Sequence, residues 1–559
     1  MTLLRIQNLN LSADSGKPIL RDVSLTLEHG QILALIGASG SGKTTLALTA
    51  LGHMRPGVRH VSGQVLFQGQ DLLRMSRRAL ARLRGRKLAY IAQSAAVSFN
   101  PRIRLDRQVT ESSRIHHTMS PDAAHARARE VYRTLDLPTG EAFYNRFPHE
   151  VSGGQLQRFM IAMGLHEMPE ILVCDEPTSA LDATTQVEVL KALDTGIRAS
   201  GTAAILVGHD IAQVVQVATH ILVMRNGEVV ERGTVEQILH HPQHPYTQRL
   251  LEMHRGFDAG SGTMADTAAA ATTAAAVSPS DRTDRPPLLE VRDLAVCYGT
   301  GGFAVKALSG ASLTLNGGEM MAVVGESGSG KSTMARAIAG LVQPSQGDVL
   351  VNGRLMERDV LKRPLPMRRA VQITFQSADT SLNRHHTVGR ILGQVLTFFG
   401  ERSKERRAER IRELLEQVHL PADYVDRKPS QMSGGEKQRV NLARSLAARP
   451  DVLICDEITS ALDNIVAASV LDLINELKRE LNIGILFISH DLSAVAAMSD
   501  KIMVLRNGEV VEQGPTAQVL GAPRHPYTRL LRSSVAEMRL GWLEEASALH
   551  RSLRDELGA

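Results

Sequence analysis

Two short stretches of this 559-residue chain share one spacing of glycines, a lysine and a hydroxyl: GASGSGKTT from Gly37 to Thr45, and GESGSGKST from Gly325 to Thr333. Both fit GxxxxGK[ST], a pattern that cradles nucleotide phosphates. Gly37, Gly40 and Gly42, and likewise Gly325, Gly328 and Gly330, let backbone N–H groups turn inward on phosphate oxygens, and a helix starting at the lysine adds its partial positive charge. Lys43 and Lys331 are placed to reach the β- and γ-phosphates, and Thr44 and Ser332 to ligate Mg²⁺, with Ser39, Thr45, Ser327 and Thr333 completing the cradle. Further along, ILVCDE and VLICDE are apolar runs that each end in two acids. Buried strands that deliver carboxylates to a phosphate site have this form. Asp175 and Asp456 then hold the metal through water, while Glu176 and Glu457 polarise a water that attacks the terminal phosphate.

Such residues work only if a strand leads into each glycine loop and a helix leaves it. QILALI precedes the first loop and TLALTALG follows it, and MMAVV precedes the second. The rest of the chain repeats as well. VSGGQLQR at Val151, CDEPTSALD at Cys174, GHD at Gly208 and HPYTQRLL at His244 recur as MSGGEKQR at Met432, CDEITSALD at Cys455, SHD at Ser489 and HPYTRLLR at His525. These pairs hold an offset of 281, against 288 at the glycine loops. The chain is a tandem duplication. It divides into a first domain over 1–255, a flexible Ala/Thr-rich linker over 256–287, a second domain over 288–535 and a helical tail over 536–559. A flexible linker of that length reaches about 30 Å root-mean-square, which favours pairing of the two domains within one chain.

Composition narrows the function classes. Hydrophobic residues make up 43% and charged residues 22%, the balance of a globular protein rather than a disordered one. Lys and Arg total 64 against 59 acids, a net charge of only +5, so no dominant polyanion-binding face is required. Cys174, Cys297 and Cys455 lie too far apart for a disulfide framework or a CxxC metal site, which points to a reducing cytosol. No apolar run approaches the roughly 18–20 residues needed to span a bilayer, and the N-terminus alternates like a strand rather than a signal peptide.

In each half the glycine loop, SGG signature, paired acids, SALD loop and histidine follow in an order that resembles the nucleotide-binding domains of ABC transporters. The resemblance covers nearly all of 1–255 and 288–535. It implies an α/β fold of two tandem P-loop NTPase domains, each with a RecA-like mixed-sheet core and a helical signature subdomain. It also implies ATP and Mg²⁺ as cofactors and transport-coupled ATP hydrolysis as the activity. In the family two such domains pair head to tail. Carried over, site one joins Lys43, Thr44, Glu176 and His209 to Ser433, Gly434 and Gly435, and site two joins Lys331, Ser332, Glu457 and His490 to Ser152, Gly153 and Gly154. His209 and His490 would contact the γ-phosphate. Gln93 and Gln376 match the family's Q-loop, which senses Mg²⁺ and touches the membrane partner.

The text around those glutamines, and both HPYT tails, resemble the oligopeptide, dipeptide and nickel importer branch. This implies an energy-coupling subunit beneath two integral membrane permeases, peripheral on the cytoplasmic face of the inner membrane, with a soluble substrate-binding protein delivering the solute and no nucleic acid involved. Peptide is the first expectation for the solute and nickel or a metal chelate the second. The rival class is a soluble twin-ABC protein acting on ribosomes or DNA. Its members resemble one another in a long charged helical arm or in cysteine zinc modules, whereas this linker is a neutral Ala/Thr tract and the cysteines are scattered.

Several residues depart from the family pattern or invite a blander reading. Tyr298 aligns with the aromatic that stacks on adenine, but Ala13 stands at the matching position of the first half. Glu436 replaces the Gln155 of the other signature. Both departures fall on site one, which is expected to hold ATP more loosely than site two. No cysteine follows Cys455, so no iron–sulfur tail is expected. The pairs His116–His117, His240–His241 and His385–His386 are adjacent and diverge on a helix or strand, which disfavours a metal site. The run SRRALARLRGRK from Ser76 reads as a solvated helical face, Cys174 and Cys455 as inert core, and Met538 to Ala559 as a helical cap.

Overall fold

The computed structural model describes residues 2–558 except 180, 209, 253–285, 300–304, 460, 461 and 463. The linker expected over 256–287 therefore lies outside the described residues, save for Pro286 and Pro287. The chain divides into two compact units, one of Met1–Gly256 with Ala536–Ser552, the other of Phe257–Val535 with Leu553–Ala559.

In the first unit the strands Ile32–Ile36, Ile171–Asp175 and Ala203–Val207 are buried at every residue. Continuous Ile, Leu, Val and Ala runs of this kind belong to parallel strands covered on both faces. They pair in parallel, Ile32 with Ala204 and Ile171 with Ala203. The six-stranded sheet runs Glu228–Thr234, His220–Arg225, Ile32–Ile36, Ala203–Val207, Ile171–Asp175, Leu88–Ile91, with an antiparallel pair at the first edge. A separate antiparallel sheet is formed by Pro18–Glu28, Thr2–Ala13, Val58–Phe67 and Gln70–Asp71. Arg21 N donates to Gly227 O at 2.9 Å, tying this sheet to the loop beyond the edge strands.

The second unit repeats this plan. Met320–Val324, Gly484–Ile488 and Val452–Asp456 form its fully buried parallel centre, and one parallel bridge, Ser309 to Glu509, makes a continuous ten-stranded sheet.

Between the strand carrying the Q-loop and the strand carrying the paired acids, each unit inserts helices. In the first these include Pro121–Thr134, capped by the Ser120 hydroxyl, and Gly153–Leu165. Their core is aromatic: Tyr132 meets Phe159 edge-on at 5.2 Å between centroids. In the second unit, Val388–Phe398, Lys404–Gln417 and Gly434–Leu446 pack through aliphatic side chains such as Leu392, Leu414 and Leu442. Both units thus adopt the expected mixed-sheet core and helical subdomain.

Trp542–Leu557 forms a C-terminal helix. Its first part belongs to the first unit. There Gln216 Nε2 donates to Glu537 O at 2.9 Å and Arg539 O at 3.0 Å, and Lys191 pairs with Glu544 at 3.2 Å. Trp542, Leu543 and Ala546 are buried. No helix among the described residues is long and apolar enough to cross a membrane.

Candidate active sites

Each glycine loop leaves its strand by a turn that only glycine makes without strain. Gly37 has φ 143°, and a Cβ there would lie 2.1 Å from Met224 O; Gly325 has φ 152° and would meet Leu505 O at the same distance. The loop therefore runs directly against the end of the neighbouring strand. Gly42 and Gly330 cap the helices Lys43–Thr49 and Lys331–Ile338 in left-handed conformation. Ser39, Gly40, Ser327 and Gly328 are exposed, and Thr45 and Thr333 are partly exposed in the first helical turns. The lysines fold back under the loops. Lys43 Nζ donates to Gly37 O at 2.7 Å and Ala38 O at 2.9 Å, and Lys331 Nζ to Gly325 O and Glu326 O, both at 2.7 Å.

The hydroxyl after each lysine meets the first acid of its unit. Thr44 Oγ1 donates to Asp175 Oδ1 at 3.0 Å, and Ser332 Oγ to Asp456 Oδ1 at 3.0 Å. A hydroxyl and a buried carboxylate converging in this way form a hard-oxygen donor set that fits Mg²⁺. Burial pushes both carboxyls above the usual carboxylate range, and the hydrogen bonds from Thr44 and Ser332 oppose that rise. A second donor in the first unit carries no mark in the motif spacing: Tyr90 OH donates to Asp175 Oδ2 at 3.0 Å. Ile373 occupies the corresponding place in the second.

This difference yields a prediction. The ionised carboxylate is the form that would hold a cation, so metal–nucleotide binding is expected to be complete above the raised pKa and to be lost as the pH falls through it. Tyr90→Phe removes one donor that favours the ionised form, a hydrogen bond of about 1 kcal/mol. The acid edge of Mg·ATP binding at the first unit should then move up by about 0.7 pH unit. The measurement is equilibrium binding across pH in a Lys331→Ala background. An acid edge that stays put would remove Tyr90 from the site.

The second acid of each pair follows the strand end in a left-handed conformation that non-glycine residues seldom adopt, φ 48° at Glu176 and 49° at Glu457. Strain of this kind, of order 1–3 kcal/mol, persists where the surroundings hold it. Here Glu176 N donates to Val207 O and Glu457 N to Ile488 O, both at 3.0 Å. The Q-loop glutamines reach the same carboxylates, Gln93 Nε2 to Glu176 Oε2 at 3.0 Å and Gln376 Nε2 to Glu457 Oε2 at 2.8 Å. His490 Nδ1 lies 3.9 Å from Glu457 Oε2. His209, the corresponding residue of the first unit, lies outside the described residues. Each unit therefore gathers lysine, hydroxyl, two acids and glutamine around one loop.

The signature serines open helices. Ser152 Oγ accepts from Gln155 N at 3.3 Å while Gln155 Oε1 accepts from Ser152 N at 3.1 Å, and Ser433 and Glu436 form the same reciprocal box. Ser152, Gly153, Ser433 and Gly434 are exposed, whereas Gly154 and Gly435 are buried against Thr185 and Val466. Glu436 also accepts from Tyr424 OH at 2.6 Å. Although burial acts to raise its pKa, bonds from Tyr424 and Ser433 hold it below the usual value. Tyr298 is half-exposed at the end of the strand Leu289–Tyr298, and Ala13 ends the strand Thr2–Ala13.

Comparison with known proteins bears on the family of the chain. The profile described as ABC transporter matches residues 20–179 and 308–460, and that described as oligopeptide/dipeptide transporter, C-terminal region, matches 230–276 and 511–556. The glutathione import ATP-binding protein GsiA of Salmonella choleraesuis (strain SC-B67) is 36% identical over 95% of this chain and 89% of its own length. Its namesake from Escherichia coli (strain K12) is 35% identical over the same shares. Among solved structures, cbiO1 from Clostridium perfringens, part of the ABC transporter complex cbiONQ, is 27% identical with a TM-score of 0.39, covering 44% of this chain and 96% of that one. The chain belongs to the ABC transporter family, in its oligopeptide/dipeptide branch, as an ATP-hydrolysing subunit that carries two nucleotide-binding domains in one polypeptide.

Proposed function

We propose that the chain is the energy-coupling ATPase of a membrane importer for small peptides of the size of glutathione, and that it works from the cytoplasmic face of the inner membrane beneath two permease subunits fed by a soluble binding protein. The observation that carries this reading is the repetition of one complete hydrolytic set, Lys43, Thr44, Gln93, Asp175 and Glu176 in the first unit and Lys331, Ser332, Gln376, Asp456 and Glu457 in the second. Oligopeptide-type C-terminal regions in both halves and relatives named for glutathione import support the peptide over nickel.

The chemistry follows from the residues. Each lysine, now bonded to its own loop carbonyls, exchanges those partners for phosphate oxygens of ATP. Mg²⁺, held by Thr44 and Asp175 or by Ser332 and Asp456 with Gln93 or Gln376 beside them, supplies charge neutralisation on the phosphates when bound. Glu176 and Glu457, each oriented by its glutamine, accept a proton as water attacks the γ-phosphorus and the bond to the β-phosphate oxygen breaks, leaving ADP and phosphate. The exposed SGG segments, with N–H groups at a helix start, suit the γ-phosphate bound on the other domain. Loss of that phosphate would release the pairing and pass motion to the permeases.

The test is reconstitution with its two permeases and binding protein in proteoliposomes, with radiolabelled glutathione, a dipeptide and a nickel chelate offered in turn. Peptide uptake that requires ATP on the side of this chain is expected. Uptake of the chelate alone would overturn the peptide assignment.

A further inference from the structure

The motif HPYT occurs at 244–247 and again at 525–528, and nothing above gives it work to do. Its first residues build a helix start. His525 Nδ1 accepts from Tyr527 N at 3.1 Å with Pro526 at the first helical position, and His244 accepts from Tyr246 N at the same distance. A histidine cap followed by proline sets the entry of the helix. A carboxylate on the sheet edge then holds the segment. Glu231 accepts from Gln243 N and His244 N at 2.7 and 3.1 Å, and Glu512 from Arg524 N and His525 N at 3.0 and 3.1 Å. Thr247 and Thr528 are buried, and the guanidinium carbons of Arg225 and Arg506 lie 5.1 and 5.4 Å from the tyrosine ring centroids.

All of this fixes one atom, the tyrosine hydroxyl. Tyr246 OH accepts from Ala38 N at 3.0 Å, and Tyr527 OH accepts from Glu326 N at 2.8 Å. Those N–H groups belong to the peptide units whose carbonyls, Gly37 O and Gly325 O, receive the lysine Nζ at 2.7 Å. A peptide unit is planar, so fixing the direction of its N–H fixes the direction of its C=O. The glycine before it has the backbone freedom to let that plane rotate if nothing held it.

From this geometry we infer that Tyr246 and Tyr527 are positioning residues, each of which orients the first peptide plane of the phosphate loop in its own unit and so presets the loop and its lysine for nucleotide. The inference rests on the ATPase reading above. It gives the HPYT segment a local task at the nucleotide site. The same contact arises twice between segments about two hundred residues apart, so it does not depend on one local accident.

The test uses the full chain in two backgrounds. Lys331→Ala leaves the first site readable, and Lys43→Ala the second. Tyr246→Phe keeps the ring and removes only the hydroxyl. In the Lys331→Ala background it should weaken ATP binding about five-fold, which corresponds to ~1 kcal/mol, with kcat at saturating ATP changed by less than about two-fold. In the Lys43→Ala background it should be silent. Tyr527→Phe should show the mirror pattern. Unchanged affinity at the variant's own site, or equal weakening in both backgrounds, overturns the inference, because a general loss of folding does not select one loop. If the parent chain itself bound no ATP, the ATPase reading would fail instead, and that result is separate from either outcome.

Discussion

Glu176→Gln should cut ATP turnover at the first unit by roughly a hundred- to ten-thousand-fold, the range expected when a positioned general base is lost. Glu457→Gln should do the same at the second, and the double variant should leave almost no phosphate release. The carboxylate oxygen that Gln93 Nε2 contacts at 3.0 Å lies on a residue held in strained backbone by the bond from its own N–H to Val207 O. Gln has the same size and keeps a polar tip toward Gln93, but it cannot take a proton from water at neutral pH. ATP binding should therefore survive while hydrolysis fails. Phosphate release and equilibrium ATP binding on the same preparations separate the two quantities. A double variant that retained more than about a tenth of the parent rate would assign the base to another group.

The second large effect concerns the loop backbone. Gly37→Ala places a methyl 2.1 Å from Met224 O, and Gly325→Ala places one 2.1 Å from Leu505 O. Both obstacles are main-chain carbonyls, which cannot rotate aside as a side chain does. The positive φ adds strain of about 1–3 kcal/mol for a residue with a Cβ. Either substitution must push the loop off the strand end that supports it, and the bond from the lysine to that same glycine's carbonyl goes with it. Nucleotide binding at the affected unit should fall at least about a hundred-fold, since the loop supplies the phosphate contacts. The other unit should bind as before. Ala variants that bound ATP normally at their own site would show that the loop has room which these distances deny.

Much of this was legible in the sequence because it is local. A glycine loop between an apolar run and a helix, or an apolar run ending in two acids, is contiguous in the chain, and its repetition at a near-constant offset removes chance. The buried parallel strands read directly from their unbroken Ile, Val and Leu content. What escaped reading was tertiary. Tyr90 bonds to an acid 85 positions later, and no spacing rule marks a tyrosine in LAYIAQ as different from the isoleucine in its twin. Tyr246 and Tyr527 meet loops 208 and 201 positions away. HPYT was legible only as a likeness to a branch, because the N–H groups that its tyrosines meet lie in glycine loops that the chain reaches much earlier. The helical periodicity of the C-terminal segment was visible, but an amphipathic stripe states that a face is buried without stating against what.

That last segment changes how the gene can be divided. The first unit is discontinuous along the chain, since Ala536–Ser552 belongs to it. A polypeptide stopped at residue 256 would present Lys191 and Gln216 without Glu544 and the carbonyls of Glu537 and Arg539. Its amino-terminal cassette is thus finished only after ribosomes have read through the second cassette to residue 552, and splitting the reading frame at the Ala/Thr tract would yield one half lacking part of its own surface.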